Sequence, residues 1–145
     1  MKKINHCLVV LVLLLGVAAC KKADTETPVV NFTLHKAFPH DVRAFTQGLT
    51  VYNGQLYEST GQDSSWIAYV DIGSGKQDKK IILDNKYFGK GITILNDKVY
   101  QLTWQSKVGF VYQLPGFEKV SEFTYDHEGW GITSDGKNLI VSDGT

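Results

Sequence analysis

Beyond its first twenty residues, the chain alternates apolar and polar positions with a period of two over short runs. The clearest are Gly48-LTVYNGQLYESTG, Gly91-ITILNDKVYQLTW and Gly131-ITSDGKNLIVSDG. That period predicts strands, because successive side chains of a strand point to opposite faces. The three runs align without gaps. Each opens Gly-(Leu/Ile)-Thr, carries a turn pair (Asn53-Gly54, Asn96-Asp97, Asp135-Gly136) and resumes an apolar alternation at Leu56, Val99 or Leu139. Such pairs tolerate the positive φ of a tight turn, so each run is predicted to be a β-hairpin. Further strands are expected at Trp66-IAYVDI ahead of Gly73-Ser74-Gly75, at Lys80-IILD, and at Gly109-FVYQL ahead of Pro115-Gly116. No stretch beyond the leader offers the roughly ten residues at helical spacing that a helix requires. The predicted class is all-β.

The opening glycines are 43 and 40 residues apart, the size of one four-stranded propeller blade. A β-sandwich also shows short strands at regular intervals, but threefold agreement at the glycine, the threonine and the turn favours the propeller. In a propeller the innermost strands line a central channel, so the residue before each glycine takes an equivalent place in each blade. Those residues are Gln47, Lys90 and Trp130. An amide, a cation and a large aromatic suit a small polar pocket where loops cluster at one face; as a purely structural set they would be mixed loop residues.

The leader changes the picture of where the protein works. Lys2 and Lys3 precede an apolar run from Cys7 to Ala19, long enough for an export signal and short for a membrane span. Its end, Val17-Ala18-Ala19-Cys20, resembles a bacterial lipobox, which makes Cys20 the expected lipidation site. The expected organisation is a signal peptide over 1–20, a polar tether over 21–31 and a propeller domain over 32–145. The expected location is the bacterial cell envelope, exported and lipid-anchored on the periplasmic or outer surface. With Cys7 removed and Cys20 lipidated, no free thiol remains for a disulfide, a nucleophile or a metal. Fifteen basic and fifteen acidic side chains give zero formal net charge, without the basic footprint that nucleic acid requires.

Several motifs stand in one order along the chain: "FPHDVRAFTQGL", "LYESTG", "FGKGIT", "VYQLTWQ" and "EGWGIT.DG..L..SDG". Together, from about residue 34 to the last residue, they resemble the glutaminyl-peptide cyclotransferases of the plant and bacterial type, a family of five-bladed β-propellers. The resemblance implies a reaction in which the α-amine of an N-terminal glutamine attacks its own side-chain carboxamide, giving pyroglutamate and ammonia. It implies no metal or other cofactor, a peptide or protein with N-terminal glutamine as partner, and a monomer when complete. His35, His40 and His127 lack metal-ligand spacing. Position by position, Phe45 and Gln47 match substrate-pocket residues, and Trp104 and Trp130 match pocket tryptophans whose faces could meet a substrate ammonium. Glu58, mid-strand, reads as structural; Glu128 of "HEGW" is left open between the two roles.

The chain departs from the family where the chemistry is most demanding. The family's Phe-Gly-Glu-Gly stands here as Phe88-Gly89-Lys90-Gly91, and the family's glutamate is the implied proton shuttle. A lysine with a pKa near 10.4 is protonated at neutral pH, so it cannot take the amine's proton and repels the substrate's ammonium. The expectation is an impaired cyclotransferase. The competing readings are a lipid-anchored module that binds peptide N-termini without reacting them, and a purely structural envelope propeller. At one blade per forty-odd residues, the domain is expected to be an incomplete N-terminal arc of about two and a half blades, from a protein on the order of a hundred residues longer.

Overall fold

The computed structural model describes residues 27–62 and 64–145. The predicted signal, the lipobox with Cys20 and the first part of the tether lie outside the described residues. Residues 27–35 form neither strand nor helix and are exposed. The compact unit spans Lys36–Thr145.

Ten strands make up that unit. The first four are β1 (Thr46–Tyr52), β2 (Gln55–Thr60), β3 (Trp66–Val70) and β4 (Gln77–Ile82); then come β5 (Gly89–Leu95), β6 (Lys98–Thr103), β7 (Val108–Gln113) and β8 (Glu118–Thr124). The last two are β9 (Gly131–Ser134) and β10 (Leu139–Ser142). They form a four-stranded sheet ordered β1-β2-β3-β4, a second ordered β5-β6-β7-β8, and a β9-β10 pair. All pairings are antiparallel between chain neighbours. Each four-stranded meander is one propeller blade, and the third blade is represented by its first hairpin. The all-β arc of two and a half blades is thus what the described residues form.

The predicted turns hold in the first two hairpins. Tyr52 pairs with Gln55 around Asn53 (φ 48°) and Gly54 (φ 76°), and Leu95 pairs with Lys98 around Asn96 (φ 52°) and Asp97 (φ 55°). Positive φ at both central residues is the turn geometry that matches strand twist. The third hairpin keeps the aligned register, since Ser134 pairs with Leu139 as Val51 pairs with Leu56 and Ile94 with Val99. The Asp135 N–H donates to the Asn138 carbonyl at 3.3 Å, which puts Gly136 (φ 90°) and Lys137 at the turn, one position after the expected pair. Asp135 Oδ1 accepts the Lys137 N–H at 2.8 Å and the Asn138 N–H at 2.6 Å, the local bonding by which an aspartate favours a turn.

The core lies between the two blades. Ile67 and Leu83 of the first blade and Ile92, Val99, Phe110 and Tyr112 of the second are buried together with Tyr57, Leu114 and Phe117. Fully burying each large side chain of this kind contributes roughly 1.5–3 kcal/mol. On the inner edge, β5 packs beside both β1 and β9, and the repeat glycines permit that approach. A Cβ at Gly48 would stand 2.8 Å from the Ile92 nitrogen, and one at Gly91 would stand 2.9 Å from the Trp130 oxygen. The backbone also bonds there, as the Gly91 N–H donates to the Trp130 carbonyl at 2.9 Å.

Candidate active site

The residues around those glycines meet at one end of the inner strands. Gly89 at the start of β5 pairs with Thr103 at the end of β6, which sets Phe88 and Trp104 side by side. Backbone bonds then carry the line into the third blade: the Trp104 N–H donates to the Phe88 carbonyl at 2.9 Å, and the Gly129 N–H donates to the Trp104 carbonyl at 3.2 Å. Trp130 follows immediately, its N–H bonded to the Ser142 carbonyl at 3.1 Å. Thr103 secures this end, since its Oγ1 donates to the Val108 carbonyl at 2.6 Å and fixes the turn in which Trp104 sits.

Three aromatic rings therefore stand in a row. Phe88 and Trp104 have centroids 5.7 Å apart at 66°, and Trp104 and Trp130 are 5.9 Å apart at 69°. Edge-to-face contacts at such distances are favourable for aromatic pairs. Lys90, the second residue of β5, directs its ammonium into this row. Its Nζ lies 3.8 Å from the Trp130 ring centroid, 5.1 Å from Phe88 and 5.3 Å from Trp104. All three are within the range of cation–π attraction. The side chain is only 7% exposed.

Glu128 completes the cluster from the edges of the indoles. Its Oε2 accepts the Trp104 Nε1–H at 2.7 Å and the Trp130 Nε1–H at 3.0 Å, and its Oε1 accepts the Gln105 amide at 3.1 Å. The bonds from Gln105, then Trp104 and Trp130, hold its carboxyl below the ordinary value of 4.5. It is therefore an anion at neutral pH. Burial pulls the Lys90 ammonium below the ordinary lysine value of 10.5, and the Glu128 charge opposes that pull. The arrangement can do one thing plainly: hold an organic cation against aromatic faces, with a carboxylate behind them.

Of the residues singled out in the sequence, the structure brings Lys90, Trp104 and Trp130 into contact. Phe45 stands one ring further along, 6.3 Å from Phe88 at 88° and 46% exposed. The Gln47 amide bends back to the carbonyl of Thr46 at 3.2 Å, so its hydrogen bond is spent locally. Two members of the site were not singled out as such. Phe88 is the third residue before a repeat glycine, as Phe45 and Glu128 are, and that equivalence is the signal that would have found it. The indole clamp on Glu128 joins residues 24 positions apart and has no local signature. Glu58 is fully buried, its Oε1 bonded to His40 Nε2 at 2.9 Å and Thr46 Oγ1 at 2.6 Å. Its partners lie within its own blade and the segment leading into it, and its Oε2 is buried without a hydrogen-bond partner among the described residues.

A family model described as glutamine cyclotransferase matches residues 7–145. A glutaminyl-peptide cyclotransferase of Arabidopsis thaliana is 44% identical over 133 residues, covering 90% of this chain and 42% of the relative. The crystal structure of Myxococcus xanthus glutaminyl cyclase superposes with a TM-score of 0.69 at 31% identity, covering 74% of this chain and 45% of that one. The chain thus spans less than half the length of each of these relatives. The repeat, the blades and these likenesses agree: the chain belongs to the glutamine cyclotransferase family.

Proposed function

We propose that this chain supplies the glutaminyl-binding face of a cyclotransferase propeller and that its substrate is a peptide or protein with N-terminal glutamine. The observation that carries the reading is the row of Phe88, Trp104 and Trp130 backed by Glu128, a place for an amine at the residues where the family motifs lie. In the reaction the α-amine nitrogen bonds to the side-chain carboxamide carbon, the bond from that carbon to its nitrogen breaks, and ammonia leaves. The attacking amine gives up a proton and the departing nitrogen gains one. The aromatic wall would serve the first requirement, curling the side chain toward the amine.

Proton transfer is the weak step. An ammonium at Lys90 has no lone pair with which to accept the proton of the attacking amine. Glu128, held below 4.5 by its donors, is a poor base for the task. Turnover is accordingly slow, by a factor comparable to loss of a general acid–base group, roughly a hundred- to ten-thousandfold. The missing proton acceptor at position 90, rather than any attraction of the lysine for an ammonium, leaves a second reading, in which the propeller binds peptide N-termini without cyclising them. Ammonia release and calorimetric binding, measured on a Gln-initiated peptide and its N-acetylated form, separate the two. Slow release from the free-amine peptide alone supports the enzyme, and binding without release supports the module. Neither signal would contradict both.

Cys20 is proposed to carry the lipid that holds the protein to a bacterial cell envelope, with residues 21–31 as tether; the small residues ahead of Cys20 support this. Metabolic labelling with a fatty acid should mark the protein, and Cys20→Ser should lose the label.

A further inference from the structure

The site that the proposed function assigns to a substrate amine already contains one. Lys90 Nζ sits over Trp130 at 3.8 Å with Phe88 and Trp104 close by, and its side chain is almost wholly buried. A long, flexible lysine at the start of an inner strand would ordinarily run out to solvent, where its charge is best hydrated. Here it folds inward instead. Two features offset part of the lost hydration: the ring faces, which attract a cation more strongly when water is excluded, and the Glu128 carboxylate, which favours the charged form. Glu128 is in turn aimed by the two indole N–H groups that form the walls. Each partner in the cluster thus orients another.

We propose that Lys90 is an internal occupant of the aromatic site, taking the position of a ligand's ammonium and excluding it until the side chain swings out. The inference rests on reading this row of rings as the amine pocket. It makes Lys90 a determinant of ligand selection: the unsubstituted chain discriminates against cationic N-termini, whereas an uncharged side chain at position 90 leaves the rings and Glu128 free to take an external quaternary or primary ammonium.

Tryptophan fluorescence titration with tetramethylammonium, a bare cation without a peptide, tests this on the whole chain and on Lys90→Met. Removing the competing cation is expected to tighten binding by about tenfold. Equal affinities in the two proteins would overturn the proposal. Should Lys90→Met fail to fold, the unsubstituted protein still decides the matter by NMR. Ring currents should shift the Lys90 ε-methylene protons upfield, and tetramethylammonium at high concentration should return them toward ordinary lysine positions. Ordinary positions from the start would overturn the proposal. The two readings fail separately: if Lys90→Met binds tetramethylammonium tightly but prefers a Gln-initiated peptide no more than an Ala-initiated one, the internal occupant stands and the glutaminyl reading falls.

Discussion

Two adjacent positions of the repeat behave in opposite ways. The glycines Gly48, Gly91 and Gly131 are the same in every copy, while the residues just before them, Gln47, Lys90 and Trp130, differ in every copy. The structure explains both facts by one geometry. At the glycine, the backbone of the neighbouring inner strand comes so near that a Cβ would meet it at 2.8–3.1 Å from Gly48 and 2.9–3.0 Å from Gly91. One residue earlier, two of the three side chains turn to the end of the arc where the rings gather. Sameness across repeats marks what closes one blade on the next, and difference marks what a single pocket needs from several blades.

The sharpest way to break this comparison is to exchange the roles. Gly91→Ala should destabilise the fold by about 1–3 kcal/mol, because the atoms its methyl meets are backbone that cannot turn aside. Chemical denaturation would show it, and a change within error of zero would mean the inner strands are less tightly joined than described. The position before the glycine should give a smaller effect that depends on pH. The folded-state pKa of Lys90 lies below its ordinary 10.5, so the unfolded chain binds its proton more tightly. Protonated Lys90 therefore opposes folding. That penalty is complete below the folded pKa and vanishes as pH rises to about 10.5. The stability of the chain relative to Lys90→Met should rise over that window, and a flat difference between the two denaturation series would contradict the buried placement. The smallest effect is expected at Gln47. Its side chain is half-buried and bonded only to the next-door Thr46 carbonyl, so Gln47→Ala should change stability by no more than about 0.5 kcal/mol. A larger loss by the same assay would make Gln47 part of the frame.

Much of the frame was legible because β-structure writes its period and its turns locally. Asn53-Gly54 and Asn96-Asp97 announced two hairpins, and the spacing of the glycines announced the blades. Asp135-Gly136 placed the third turn one residue early: the Asp135 N–H bonds to the Asn138 carbonyl, so Gly136 and Lys137 stand at the turn while the register stays that of the other copies. The pocket was half legible. Lys90 and the two tryptophans could be named from repeat position and motif, but the lysine's surroundings could not. Its partners are ring faces and a carboxylate drawn from the second and third blades, and no local pattern records a contact between Trp104 and Glu128. Phe88 escaped because an aromatic before a strand reads as core unless the copies are compared column by column.

The central proposal is that position 90 decides the chemistry of the site that these rings and Glu128 line. The most direct measurement is the rate of ammonia release from a Gln-initiated peptide by the protein and by its Lys90→Glu variant. A carboxylate there would vacate the rings for the substrate amine and supply the proton shuttle. The account predicts a rate increase of roughly a hundred- to ten-thousandfold. Equal rates in the two proteins, both folded, would contradict it.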